Sequence, residues 1–289
     1  MRHLLSPPKV MTFSATDPTG GAGLQADILT LASIYCHPIS ITTAITVQDT
    51  TGVELVSPVD SQLLKQQAMT ILKDVEVAVF KLGLLGSLEN IKAISEILET
   101  YPDIPVVLDP IIASGRGDVL MNDSMKKAMI RLIFPQTTLI TPNSIEARKL
   151  VCYDNEDFES ISISESAERL FNLGCKNLLI TGGDEKSAAV TNTLYLENGE
   201  IIPFESERLI GEFHGSGCTL ASSIAGFCAQ DYSLKEAVNE AIHFTSLALK
   251  NAFNIGHGQL IPDRFHWIFN NSSYCLLYTS DAADDTPCV

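Results

Sequence analysis

Runs of strand-forming residues alternate with stretches of helical spacing along most of this 289-residue chain, and that alternation narrows the fold more than any other feature. The runs are KVMTFSA, PISITTAITV, VAVFKLGL, PVVLD, TTLIT and KNLLIT, and helical spacing marks 21–35, 61–73, 88–100, 122–133 and 164–173. Strands that alternate with helices predict an α/β fold, a mostly parallel central sheet covered on both faces. The stretch 188–206, with Asn198-Gly199 at a turn, predicts a late hairpin, and two helices are expected over 217–229 and 233–253. No repeat, linker or low-complexity stretch divides the chain, so a single domain is expected over 1–270. The segment 271–289, NSSYCLLYTSDAADDTPCV, has no periodicity that would bury a face, and it is expected to be a non-native or frayed tail.

Charge and cysteine usage limit the partners. A formal net charge of −16 without a basic patch argues against nucleic acid or an anionic membrane. An anionic substrate would therefore have to be held by local devices such as helix N-termini, a metal ion or a few placed cations. No run approaches the roughly 20 apolar residues of a membrane span, and MRHLLSPPKV lacks the apolar stretch of a secretory signal. The seven cysteines are scattered without a C-x-x-C pair, which predicts a reduced, cytoplasmic protein without a zinc cluster.

Five short segments carry candidate chemistry. In TDPTGGAGLQAD, Gly21, Gly23 and Ala26 spell G-x-G-x-x-A after a strand, with Asp49 near the end of the next strand. A dinucleotide loop would place its first glycine almost directly after the strand. Here Thr16 to Thr19 intervene, and Asp27 follows the motif where a pyrophosphate would be repelled. Three readings stay open: a dinucleotide site, a structural glycine turn, or a pocket for a small, polar, uncharged molecule. In GEFHGSGCTL, Gly215, Ser216 and Gly217 lead into a helix, so that backbone N–H groups can converge on an anion. Cys218 falls in that helix's first turn, where a lowered thiol pKa is expected; the bland alternative is a buried structural cysteine. Asp109 ends the strand of VVLDP, where α/β sheets place ligand-binding groups. In TPNSIEA, Asn143 and Glu146 fit a capping box or, alternatively, a magnesium site completed by substrate phosphates. Thr181, Gly182 and Gly183 follow a further strand in LLITGGD, suited to close approach of a ligand.

Taken in order, these segments resemble the ribokinase-like superfamily. TDPTGGAGLQADI, TTAITVQDTTGV, KLGLLGS, VVLDP, LITPNSIEA and HGSGCTL closely resemble the hydroxymethylpyrimidine and phosphomethylpyrimidine kinases of thiamine biosynthesis, over about Val10 to Trp267. The resemblance implies a three-layer fold in which the N-terminal glycine loop lines the acceptor's pocket and the nucleotide lies toward the late anion hole, so the dinucleotide match is a decoy. It implies that Asp27 and Gln48 hydrogen-bond the aminopyrimidine, with Ala15 and Thr46 beside them and Leu84 and Ile111 as apolar walls. Cys218 would stand in place of the aspartate base of sugar kinases, and the amides of Gly215, Ser216, Gly217 and Cys218 would bind the phosphoryl group in flight. Asp109, Asn143 and Glu146 would organise Mg²⁺ on the phosphates of ATP, with Thr181, Gly182 and Gly183 on the nucleotide.

Two departures stand out. Ala15 replaces a glycine of many members, and Thr181 replaces a phosphate-contacting lysine of some. The resemblance further implies ATP as donor, a homodimer, and two successive transfers, to the alcohol and then to its monophosphate. The nearest rival is a pyridoxal kinase. A non-catalytic pyrimidine-binding regulator on the same fold, and a cysteine hydrolase pairing Cys218 with His214, are more distant.

Overall fold

The computed structural model describes residues 6–113, 117–118, 120–153 and 156–270. The first half of the chain runs β1 (Lys9–Thr16), α1 (Gly23–Ser33), β2 (His37–Gln48), β3 (Val53–Pro58), α2 (Ser61–Leu72), β4 (Val79–Leu82), α3 (Leu88–Thr100), β5 (Val106–Leu108) and α4 (Asp123–Leu132). The second half continues with β6 (Leu139–Ile140), α5 (Ser144–Val151), α6 (Ile163–Asn172), β7 (Leu178–Ile180), β8 (Ala189–Tyr195), β9 (Ile201–Glu207), α7 (Ser216–Ala229), α8 (Leu234–Lys250) and α9 (His266–Asn270). The expected tail, 271–289, lies outside the described residues.

The strands form one sheet in the order β3-β2-β1-β4-β5-β6-β7-β8-β9. Six strands, β2, β1, β4, β5, β6 and β7, are parallel, and β3, β8 and β9 add antiparallel edges. Alternation along the strands explains the layers. Met11, Phe13, Phe80, Leu82, Val106, Leu108, Leu178 and Ile180 point to a core shared with α2 to α6. Val10, Val79, Val107 and Leu179 point the other way, against α1, α7 and α8. Each such side chain, fully buried, contributes about 1.5–3 kcal/mol.

Helix starts are fixed locally by side-chain caps. Asp60, Ser87, Asn122, Ser162 and Ser233 each accept from the first-turn amides of their helices. The departure from the sequence reading is β3, a ribbon partner of β2 that projects beyond β1. Its residues are exposed or half-buried, so it lacks the apolar run that marks the central strands.

Candidate functional site

The carboxyl ends of β1, β2, β4, β5, β6 and β7 open onto a cavity of about 980 Å³. This is where an open α/β sheet gathers ligand-binding loops. Ala15, Thr46, Gln48, Leu84, Asp109, Ile111, Asn143, Glu146, Thr181, Gly183 and Gly215 to Cys218 all line it. Asp27 and Gly182 do not.

On one side the loop after β1 folds around Asp17, which is 2% exposed. Its carboxylate accepts from the Thr19 and Ala22 amides, the Thr19 hydroxyl and His214 Nε2, the last at 2.8 Å. Burial raises its pKa, but His214 and these other donors outweigh that and hold it at about 2. His214 Nε2 also lies 3.4 Å from Gln48 Nε2. The Thr46 hydroxyl donates to the Thr16 carbonyl at 2.7 Å and so ties β2 to this loop. Leu84 and Ile111 supply apolar wall. Asp49 caps its own turn, accepting from the Thr51 and Gly52 amides, which leaves the dinucleotide reading without its acidic partner.

Asp27 requires a correction. It is fully buried between layers, 2.8 Å from Lys81 Nζ, and accepts from Ser222 Oγ at 2.6 Å and Thr12 Oγ1 at 2.5 Å. With those donors around it and no face on the cavity, it ties α1 to the sheet and to α7. Burial lowers the Lys81 pKa, but Asp27, Cys218 and Asp109 more than reverse this.

Gly215, Ser216 and Gly217 open α7 on the cavity, as the sequence reading places them. Gly215 caps α7 in the left-handed region at φ 82°, and a Cβ there would meet the Gly21 carbonyl oxygen at 1.9 Å. Only glycine fits, and the fit presses the N-terminal loop against the helix entrance. The thiol reading is corrected: burial first, then the Asp109 charge, pushes Cys218 up to about 12. A helix N-terminus favours the thiolate, but here desolvation wins, opposed by Lys81.

Asn143 and Glu146 form the capping box of α5. Glu146 N donates to Asn143 Oδ1 at 2.8 Å, and Asn143 N to Glu146 Oε2 at 3.0 Å. Glu146 nevertheless faces the cavity. Burial and then Asp109 push it up to about 8, while the Asn143 and Ile112 amides pull the other way. Asp109 is raised to about 6 by burial and Asp27, against Lys81 and the Cys218 thiol. Two carboxylates that each resist ionisation on one wall fit a hard divalent cation. Among the described residues no group of three or more His, Cys, Asp or Glu is arranged to hold a metal. The pair would need substrate oxygens and water to complete a shell, which is how Mg²⁺ is commonly held.

On the far side Thr181 and Gly183 line the cavity. Thr181 pairs with Asn143 as a short extension of β6 and β7. Gly182 has a structural use, since its Cβ would strike the Thr191 carbonyl oxygen of β8 at 2.3 Å. Arg208 donates to the carbonyls of Gly183, Glu185 and Ser187 and fixes this loop. Among the described lining residues Arg208 is the one Lys or Arg, against Asp17, Asp109, Glu146, Asp184, Glu207 and Glu212. Phosphates could enter so acidic a space only with cations that accompany them.

The sequence reading gives no role to three residues that shape this site, Asp17, Lys81 and Arg264, and it pairs His214 only with Cys218. Arg264, 2% exposed, donates to Gly20 O, Gly21 O and Thr219 Oγ1, and so pins the N-terminal loop to α7. Only the charge of Asp17 and Lys81 beside apolar runs hints at their use.

A mostly parallel sheet between two helical layers, with a glycine-led helix entrance and the carboxylates of Asp109 and Glu146 on one cavity, is the frame of a small-molecule kinase of the ribokinase-like class. The family model described as phosphomethylpyrimidine kinase matches residues 17–263, and the chain belongs to that family. It is 32% identical over 262 residues to the hydroxymethylpyrimidine/phosphomethylpyrimidine kinase of Mycobacterium tuberculosis, which covers 89% of this chain and 94% of that one. It is 31% identical to a probable thiamine biosynthetic bifunctional enzyme of Oryza sativa over 88% of this chain, but spans only 47% of that protein's length. Among solved structures, the pyridoxal kinase of Staphylococcus aureus in complex with AMP-PCP and pyridoxal superposes with a TM-score of 0.79 at 27% identity. That match covers 90% of this chain and 95% of the other.

Proposed function

We propose that this kinase moves a phosphoryl group from ATP to the hydroxymethyl of 4-amino-5-hydroxymethyl-2-methylpyrimidine, and then a second to the resulting monophosphate. The observation that carries this reading is a single cavity that joins a small amide-bearing pocket to a helix-entrance anion hole and two carboxylates. Phosphoryl transfer asks mainly for alignment and charge neutralisation. Gln48 and Thr46 orient the acceptor between Leu84 and Ile111. The amides of Gly215 to Cys218 meet the phosphoryl oxygens. Asp109 and Glu146, with Asn143 behind them, would hold Mg²⁺, which would neutralise developing charge. Cys218 would face the reacting oxygen as the proton acceptor: burial is the main cause that raises its thiol, Lys81 opposes it, and a cation on Asp109 would relieve the second cause, the Asp109 charge. Thr181 and Gly183 flank the nucleotide.

The same reading takes residues 1–270 as one domain in the cytoplasm. Free cysteines at 36, 152, 175, 218 and 228 support a reducing compartment, and no described helix is long and apolar enough to cross a membrane. Exposed Ile45, Val47 and Leu55 on β2 and β3 support a homodimer.

The test is ATP with the hydroxymethylpyrimidine, products resolved by mass. Monophosphate followed by diphosphate is expected, and turnover of pyridoxal alone would favour the second reading that the Staphylococcus aureus neighbour raises.

A further inference from the structure

Gln48 and His214 present each other with a conflict. Asp17 accepts only, and its low pKa keeps it ionised. At 2.8 Å from Asp17 Oδ2, His214 Nε2 must carry a proton and point it there. A protonated ring nitrogen has no lone pair to offer, yet Gln48 Nε2, also a donor, faces it at 3.4 Å. Two donors face each other. The ring is packed closely on one side, since a Cβ on Gly21 would meet His214 Cδ2 at 2.3 Å, and its backbone is anchored by the N–H bond to the Leu260 carbonyl at 2.8 Å.

The Gln48 amide can relieve this by a half-turn, which exchanges oxygen and nitrogen without changing shape. We propose that His214, held by Asp17, is a positioning residue that fixes Gln48 with Oε1 toward the imidazole, where it shares the Nε2 proton with Asp17, and with NH₂ toward the acceptor. The acceptor class then follows. It is an aromatic ring that offers an unprotonated nitrogen to that NH₂, not one that offers only an N–H. The proposal rests on the reading of this pocket as the acceptor's, and it adds the direction of the hydrogen bond.

Three steady-state measurements on the full chain, with the hydroxymethylpyrimidine and ATP, separate the two levels. Gln48→Ala should raise the acceptor KM about 5- to 150-fold, the loss of one buried hydrogen-bond partner, with the KM for ATP unchanged. Gln48→Glu has the same shape but can only accept, and it should be as poor as alanine. His214→Asn should raise the acceptor KM several-fold with little change in kcat. If Gln48→Glu restores wild-type acceptor KM while Gln48→Ala does not, the pocket assignment stands and the orientation is wrong. If Gln48→Ala leaves the acceptor KM unchanged, the pocket assignment itself falls. Imidazole ¹⁵N shifts of the wild-type chain give a check apart from activity. A protonated Nε2 on His214 is expected, and a free lone pair there overturns the proposal.

Discussion

Replacing Lys81 by methionine should damage stability far more than an exposed lysine would. Lys81 and Asp27 are both fully buried, 2.8 Å apart, in the layer between β4 and α7. Methionine fills much of the lysine stem but leaves the Asp27 carboxylate with only the Ser222 and Thr12 hydroxyls. Removing one partner of a buried pair costs about 3–5 kcal/mol, because the remaining charge is uncompensated. At about 2–4 °C per kcal/mol for a chain somewhat smaller than this one, the melting temperature should fall by roughly 10 °C. Urea unfolding at pH 7 reads the loss as a lower midpoint at constant slope. Asp27→Asn should cost a similar amount, and Lys81→Met combined with Asp27→Leu should recover most of it. A loss below about 1 kcal/mol for Lys81→Met would refute the buried-pair argument. An Asp27→Asn enzyme of wild-type stability with a raised acceptor KM would return Asp27 to the pocket.

Three further outcomes are expected. Glu146→Gln keeps an oxygen for the Asn143 amide, so stability should hold within about 1 kcal/mol, while the Mg²⁺ concentration for half-maximal rate rises; an unchanged titration would confine Glu146 to capping. The Asp17 pKa is depressed from 3.8 to about 2, so its contribution is present above pH 4 and lost as pH falls toward 2. That contribution is about 2 kcal/mol, and Asp17→Asn should flatten the urea midpoint against pH in that window, a slope equal to wild type contradicting the role given to its donors. Cys218→Ala leaves the backbone amides in place and should slow transfer to the alcohol far more than transfer to the monophosphate, whose nucleophilic oxygen is mostly ionised at neutral pH; equal losses in the two assays would remove the base assignment.

The sheet was legible because central parallel strands are buried on both faces, so KVMTFSA, VAVFKLGL and PVVLD stand out as apolar runs against polar loops. VELVSP was not legible, since an edge strand with exposed or half-buried residues looks like loop. The site's glycines and its capping box were legible, because φ, close approach and caps are local properties. Burial of a charge is not local. The spacing of Asp27 on α1 gives no hint that Lys81 and Ser222, from elements 54 and 195 residues away, close over it. The thiol's direction of shift failed for the same reason: the helix entrance is written in the segment around Cys218, whereas Asp109 and the burial that outweighs it come from the assembled layers.

The contact of Gly215 with the Gly21 carbonyl, pinned by Arg264, has a consequence for how acceptor preference can drift. Backbone pressed on backbone leaves no side chain to vary, and a shift of the N-terminal loop drags the helix entrance with it. On the proposed function, the acceptor's cradle and the cradle of the travelling phosphoryl group would therefore be one rigid die. Descendants of this chain with altered diets should keep both glycine loops intact and differ at the inward side chains just beyond other strands, Leu84 and Ile111 first.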